Sequence, residues 1–248
     1  MHPGAVVERN GTELAHLAGL LADGTRAAFC LALMDGQAWT AGELARAAGV
    51  APSTTTSHLA RLVAAGFVTE ERHGRHCYVR LAGPHIAELV ETLAVHAGPP
   101  GPAARSLRAV TASRHLADAR TCYDHLAGRL GVRLTEAMVH KGWIDDTTGF
   151  SLTPAGLGWL EDLGVDTAAI LAGRRPPARV CLDWTERRPH LAGASGAVLC
   201  QLYLDQGWLR RISGQRAVRI TESGERGLAA MFGLDPKVVG RDQNPCTC

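Results

Sequence analysis

The sequence predicts a mainly α-helical chain with short β-hairpins, of the α+β class. Three observations carry this. Apolar residues recur at helical spacing, short extended runs flank polar turns, and the second half contains an internal repeat with glycine-aromatic pairs between its elements.

The elements follow in order. Leu14, Leu17 and Leu21 share one face of a helix over Gly11 to Ala22, broken by Asp23-Gly24. Arg26 to Met34 reads as a second helix, stopped by Asp35-Gly36. Thr40 caps a third, Ala41 to Ala48, with Glu43 placed for a capping box and Gly49 as the stop. Pro52 opens a fourth, with Leu59, Leu62 and Val63 on one face, closed by Gly66. Phe67 to Arg72 and Cys77 to Leu81 read as strands around the turn His73-Gly74-Arg75-His76. Gly83-Pro84 introduces a fifth helix through Val95, and Gly98-Pro99-Pro100-Gly101-Pro102 marks a boundary.

Beyond it, His125-Leu126-Ala127-Gly128 recurs as His190-Leu191-Ala192-Gly193. Gly131 then matches Gly196, Gly142-Trp143 matches Gly207-Trp208, and Thr153 and Gly156 match Thr221 and Gly224 after a hairpin that is longer in the second copy. Each copy reads as helix, glycine-aromatic, hairpin, helix, the order of the first domain. The predicted division is a winged helix-turn-helix over 1–97, a linker over 98–114, winged-helix-like repeats over 115–173 and 174–235, and a cysteine-containing tail over 236–248.

Composition narrows the function classes. Of 248 residues, 46% are hydrophobic and 20% charged, which is globular. No apolar run approaches the ~20 residues of a membrane helix, and Met1-His2-Pro3-Gly4 does not open a secretory signal, so a cytoplasmic protein without a membrane partner is expected. In that compartment seven cysteines are thiols, metal ligands or redox switches rather than a disulfide scaffold. A net charge of +2 is weak evidence for nucleic-acid binding, so charge placement must decide.

The third and fourth helices form a helix-turn-helix, whose second helix would enter a DNA major groove. Its first residues are Ser53, Thr54, Thr55, Thr56, Ser57 and His58. Five consecutive hydroxyl residues suit phosphate and base contacts better than a helix interior. Arg61 suits a phosphate, and Arg72, His73 and Arg75 sit on the hairpin that would follow the DNA backbone.

This first domain resembles the ArsR-type (arsenic repressor) family of winged-helix repressors. The matching residues are Ala45 to Gly49, Ser53 to Leu62, Ala65-Gly66-Phe67-Val68, and Arg72-His73-Gly74-Arg75 with Tyr78 and Leu81, within residues 11–97. The resemblance implies a homodimer pairing through its first and last helices, and operator DNA that an effector releases. The cysteine pair of members that sense metal through the third helix is absent from Glu43-Leu44-Ala45-Arg46, and Ala51 replaces the usual polar cap.

Sensing is therefore sought in the second half. Cys122-Tyr123-Asp124 precedes one His-Leu-Ala-Gly and Cys181-Leu182-Asp183 the other; the tail adds Cys246 and Cys248. Those four thiolates, with His125 and His190 as reserve ligands, would bind a thiophilic metal or metalloid effector such as arsenite, antimonite, Cu(I) or Zn(II). No resident cofactor is expected. Cys30, Cys77 and Cys200 read as core.

Three other readings compete. One is an organic ligand among Trp143, Trp159, Trp184, Trp208, Tyr123 and Tyr203. Another is a Cys122–Cys181 disulfide switch. The third is added DNA contact by Arg210, Arg211, Arg216 and Arg219, against which the middle copy has Asp145 and Asp146. A nucleophile–base pair at Cys122 and His125 is a remote enzymatic alternative, since no catalytic motif accompanies it; the chain is expected not to be an enzyme.

Overall fold

The structure, a computed structural model, describes residues 3–73, 76–97 and 114–234. The chain divides into two compact units, Met1–Val90 and Glu91–Cys248.

In the first unit, α1 (Pro3–Leu21) leads into α2 (Gly24–Ala32), capped by the Asp23 carboxylate on the Arg26 amide. The first helix thus begins well before the predicted Gly11, where its leucine periodicity is absent. Strand β1 (Trp39–Thr40) precedes α3 (Ala41–Ala48), whose Thr40–Glu43 capping box forms as the spacing predicts. Gly49 turns the chain at φ 67° into α4 (Pro52–Ala64), which starts at Ala51 without a side-chain cap. Strands β2 (Val68–His73) and β3 (His76–Leu81) form the wing, in a sheet of order β1-β3-β2. Phe29, Leu33, Leu44, Leu62, Phe67 and Val79 fill the core behind it. Helix α5 (Pro84–Ala97) follows, and its residues from Glu91 onward belong to the second unit.

The second unit is built from the repeat, with one element the sequence reading misplaced. Each His-Leu-Ala-Gly ends a β-hairpin rather than lying in a helix. The first copy runs β4 (Arg120–Cys122), β5 (His125–Ala127), α6 (Gly128–His140), β6 (Ile144–Asp145), β7 (Ser151–Leu152), α7 (Pro154–Asp162) and the additional α8 (Thr167–Ala172). The second runs β8 (Arg179–Leu182), β9 (Pro189–Ala192), α9 (Gly193–Asp205), β10 (Leu209–Arg211), β11 (Val218–Ile220) and α10 (Glu222–Phe232). The copies interlock: α6 packs on β9, α9 on β5, and β5 lies beside β9.

Paired glycines make that approach close. A Cβ on Gly131 would stand 2.4 Å from the Leu126 carbonyl oxygen, and one on Gly196 would stand 2.6 Å from that of Leu191 and 3.2 Å from the His125 Cβ. Alanine normally stabilises a helix interior relative to glycine by about 1 kcal/mol. Gly196→Ala should instead cost about 1–3 kcal/mol in urea unfolding, because backbone must yield.

The core of this unit explains most of its aromatics. Trp143 stacks on Trp159 at 4.1 Å and Tyr203 on Trp208 at 5.4 Å, with Phe232 edge-on to Trp143, Trp159 and Tyr203. Trp184 lies against Arg120, and Tyr123 is exposed in a hairpin turn at φ 59°. The cavity between α6 and α9, lined by Leu126, Leu134, Leu191, Leu199 and Tyr203 among others, measures about 20 Å³, room for one water rather than an organic effector. Among the described residues, no single helix is long and apolar enough to cross a membrane.

Candidate metal centre and nucleic-acid interface

The recognition helix presents only part of its hydroxyl run. Ser53, Thr54, Thr56 and Ser57 are exposed, as is Arg61. Thr55 is a correction: its side chain is fully buried and donates to the Ala51 carbonyl, so it holds the helix start and faces no base. His58 is half-buried, its Nδ1 3.3 Å from the Arg26 guanidinium and 3.5 Å from Asp23, with its ring edge-on to Phe29. It ties α4 to α2 rather than pointing freely outward. Arg72 is exposed on the wing; Arg75 and the His73 side chain lie outside the described residues. Arg72→Ala should flatten the salt dependence of DNA binding by about one phosphate contact in an anisotropy titration.

The interlocked hairpins of the second unit make the other site. Cys122 ends β4 and His125 begins β5, directly paired across a two-residue turn; Cys181 and His190 are also direct partners on β8 and β9, one pair in from a longer loop. Because β5 lies beside β9, the four side chains converge on one point. All four donor atoms lie within 4.8 Å of one another. The two Nε2 atoms are 3.1 Å apart and the two Sγ atoms 4.0 Å apart. Tetrahedral zinc bonds of about 2.3 Å to sulfur and 2.0 Å to nitrogen imply edges of about 3.8 Å between sulfurs and 3.3 Å between nitrogens. The observed edges fit that figure.

Burial makes the arrangement costly unless something is shared. Cys122, His125 and His190 are at most 1% exposed, while Cys181 is partly open. The imidazoles stack 5.1 Å apart, and among the described residues neither Nδ1 makes a hydrogen bond, the Asp124 carboxylate standing 3.5 Å from that of His125. The Cys181 thiol is pushed down, first by its hydrogen bond with Cys122, against burial, and then by both histidines. Cys122 is pushed up by the same bond, by burial and by Glu91. Two cysteine sulfurs thus face two imidazoles, a donor set for a soft or borderline cation.

The surroundings hold this set in place. Cys122 donates to the Glu91 carboxylate at 2.7 Å. Glu91 also accepts from Arg120 at 3.2 Å and from Arg216 at 2.8 Å. Arg120, 1% exposed, reaches Asp183 at 2.8 Å. Asp183 accepts the Gly128 amide at the start of α6 and the Thr185 and Glu186 amides. Burial would raise its pKa, but Arg120 and those donors hold it well below the usual carboxylate range. Asp124 stands 3.5 Å from the His125 Nδ1 and is clamped by Arg175, so the two Cys-x-Asp segments use their aspartates differently. Sequence reasoning missed Glu91, which has no motif, and ranked the histidines below the cysteines because they read as helical. Cys246 and Cys248 lie outside the described residues. Cys30 and Cys200 are buried in the cores, and burial raises each thiol to about 11.

Comparison with known proteins fits the first unit's reading. A helix-turn-helix domain family matches residues 21–71. The chain is 39% identical over 213 residues to the uncharacterized HTH-type transcriptional regulator YdfF of Bacillus subtilis (strain 168), covering 86% of this chain and 93% of that protein. Among solved structures, a homodimeric winged helix-turn-helix DNA-binding domain from Mycobacterium bovis is 26% identical, covering 37% of this chain and 83% of that one with a TM-score of 0.34. A cadmium metal-sensor from Mycobacterium tuberculosis is 35% identical, covering 32% and 81% with a TM-score of 0.28. With a full-length relative of this kind and the helix-turn-helix in its first unit, the chain belongs to the HTH-type transcriptional regulators and carries a DNA-binding domain of the ArsR type.

Proposed function

We propose that this protein is a metal-responsive repressor: the first unit binds operator DNA as a dimer, and one metal ion held by Cys122, His125, Cys181 and His190 releases it. The observation that carries this is the convergence of two thiols and two imidazoles at tetrahedral spacing. Two sulfurs and two nitrogens favour Zn(II) or another tetrahedral d10 dication over arsenite or antimonite, which take three thiolates. Dimerisation through α1 and α5 is supported by Leu14, Leu17 and Leu89, large apolar side chains left exposed there. Release requires that the ion bind one dimer geometry better than the other.

The test is anisotropy of a duplex from the gene's own upstream region, titrated with Zn(II). Release is expected, and its loss in Cys181→Ser and His190→Gln. Unchanged DNA affinity at saturating metal would contradict the reading. A second reading, a thiol switch, is favoured by the 4.0 Å sulfur separation; release by an oxidant alone would select it. Catalysis at Cys122 and His125 has no support, since both side chains are buried.

A further inference from the structure

The hairpin β10–β11 carries charge that its fold does not need. Leu209 pairs with Ile220, Arg210 with Arg219, and Arg211 with Val218. Leu209 and Val218 turn into the core, leaving Arg210 and Arg219 directly opposite each other on the outer face. Like charges in that position destabilise a hairpin. Arg210, Arg211 and Arg219 are exposed, and among the described residues none of them forms an ion pair. Arg216, which the sequence grouped with them, turns inward to Glu91 and the Thr121 carbonyl.

The twin hairpin β6–β7 is the internal control. It keeps the same inward residue, with Ile144 at the place of Leu209, and the same glycine-tryptophan approach. Yet Asp145 and Asp146 stand where the second copy has Arg210 and Arg211, and Ser151 faces Asp145 across the strands. One scaffold therefore folds with either sign of charge. The arginines answer to something outside the unit, and it must be anionic and extended enough to neutralise two guanidiniums side by side.

We propose that β10–β11 is a second wing that grips the phosphate backbone of duplex DNA beyond the segment read by α4. A row of phosphates neutralises the Arg210–Arg219 pair, which a single carboxylate cannot do, and the chain already binds DNA through its first unit. Such contacts carry no sequence preference and add to affinity through counterion release.

The experiment compares two duplexes from the gene's upstream region, one trimmed to the protected core and one extended by ~10 base pairs, about one helical turn, on each side. Full-length protein is titrated at several salt concentrations. The wild type should bind the longer duplex more tightly, with a steeper dependence of log K on log salt. Arg210→Glu and Arg219→Glu should each flatten that slope by ~0.9 or more on the long duplex and erase its advantage, leaving the short one nearly unaffected. Each exchange creates a cross-strand Glu–Arg pair, so the melting temperature should stay level or rise. Equal wild-type slopes on both duplexes, or unchanged slopes in the variants, would overturn the proposal. So would a variant that melts early and binds both duplexes equally weakly, since the arginines would then serve the fold.

Discussion

Zinc should raise the unfolding free energy of the full-length protein by about 4 kcal/mol when free metal stands ~1,000-fold above the dissociation constant. The gain is read as the difference between chemical denaturation with and without metal, so a variant's own stability does not confound it. Cys181→Ser and His190→Gln should each remove most of it, because a tetrahedral site that loses one ligand must recruit water into a buried place. Cys200→Ser, which alters a buried thiol outside the cluster, should leave the metal-dependent increment intact. An equal increment in all three variants would mean that metal binds elsewhere.

Arg120 carries the second large effect. Its guanidinium is buried between Glu91 and Asp183, with a third bond to the Leu116 carbonyl. Removing one partner of a buried charge network typically costs 3–5 kcal/mol, because the opposite charge is left without compensation. Arg120→Met keeps the volume and deletes the charge, and should lose about that much in urea unfolding followed by tryptophan fluorescence. Adding Asp183→Asn should recover part of the loss, since the stranded carboxylate is then neutral. Strict additivity of the two would show that they do not act as a unit. Asp183 accepts the Gly128 amide that starts α6, so the same network sets where His125 and its strand end.

The first unit was largely legible from the sequence because its signals are local. Thr40 with Glu43, Gly49 and Pro52 fix helix ends within a few residues of chain. What sequence could not show there was direction: the hydroxyl run looks uniform, yet helical rotation turns Thr55 into the core beneath Ser53, Thr54 and Ser57. In the second unit the repeat identified the right cysteines and histidines but placed the histidines in helices. The strand assignment follows from a two-residue turn at Tyr123-Asp124 with positive φ on a tyrosine, which no propensity favours. The meeting of the two copies depends on interlocking, a non-local event whose trace in sequence is the matched pair Gly131 and Gly196. Glu91 was invisible because its partners lie 29 to 125 residues away.

The donor set is the centre of this account, and X-ray absorption of the zinc-loaded full-length protein tests it most directly. Two sulfurs near 2.3 Å and two imidazole nitrogens near 2.0 Å are expected, with the nitrogen shell reduced in His190→Gln. A shell of three or four sulfurs, or of oxygens with no change in that variant, would contradict it.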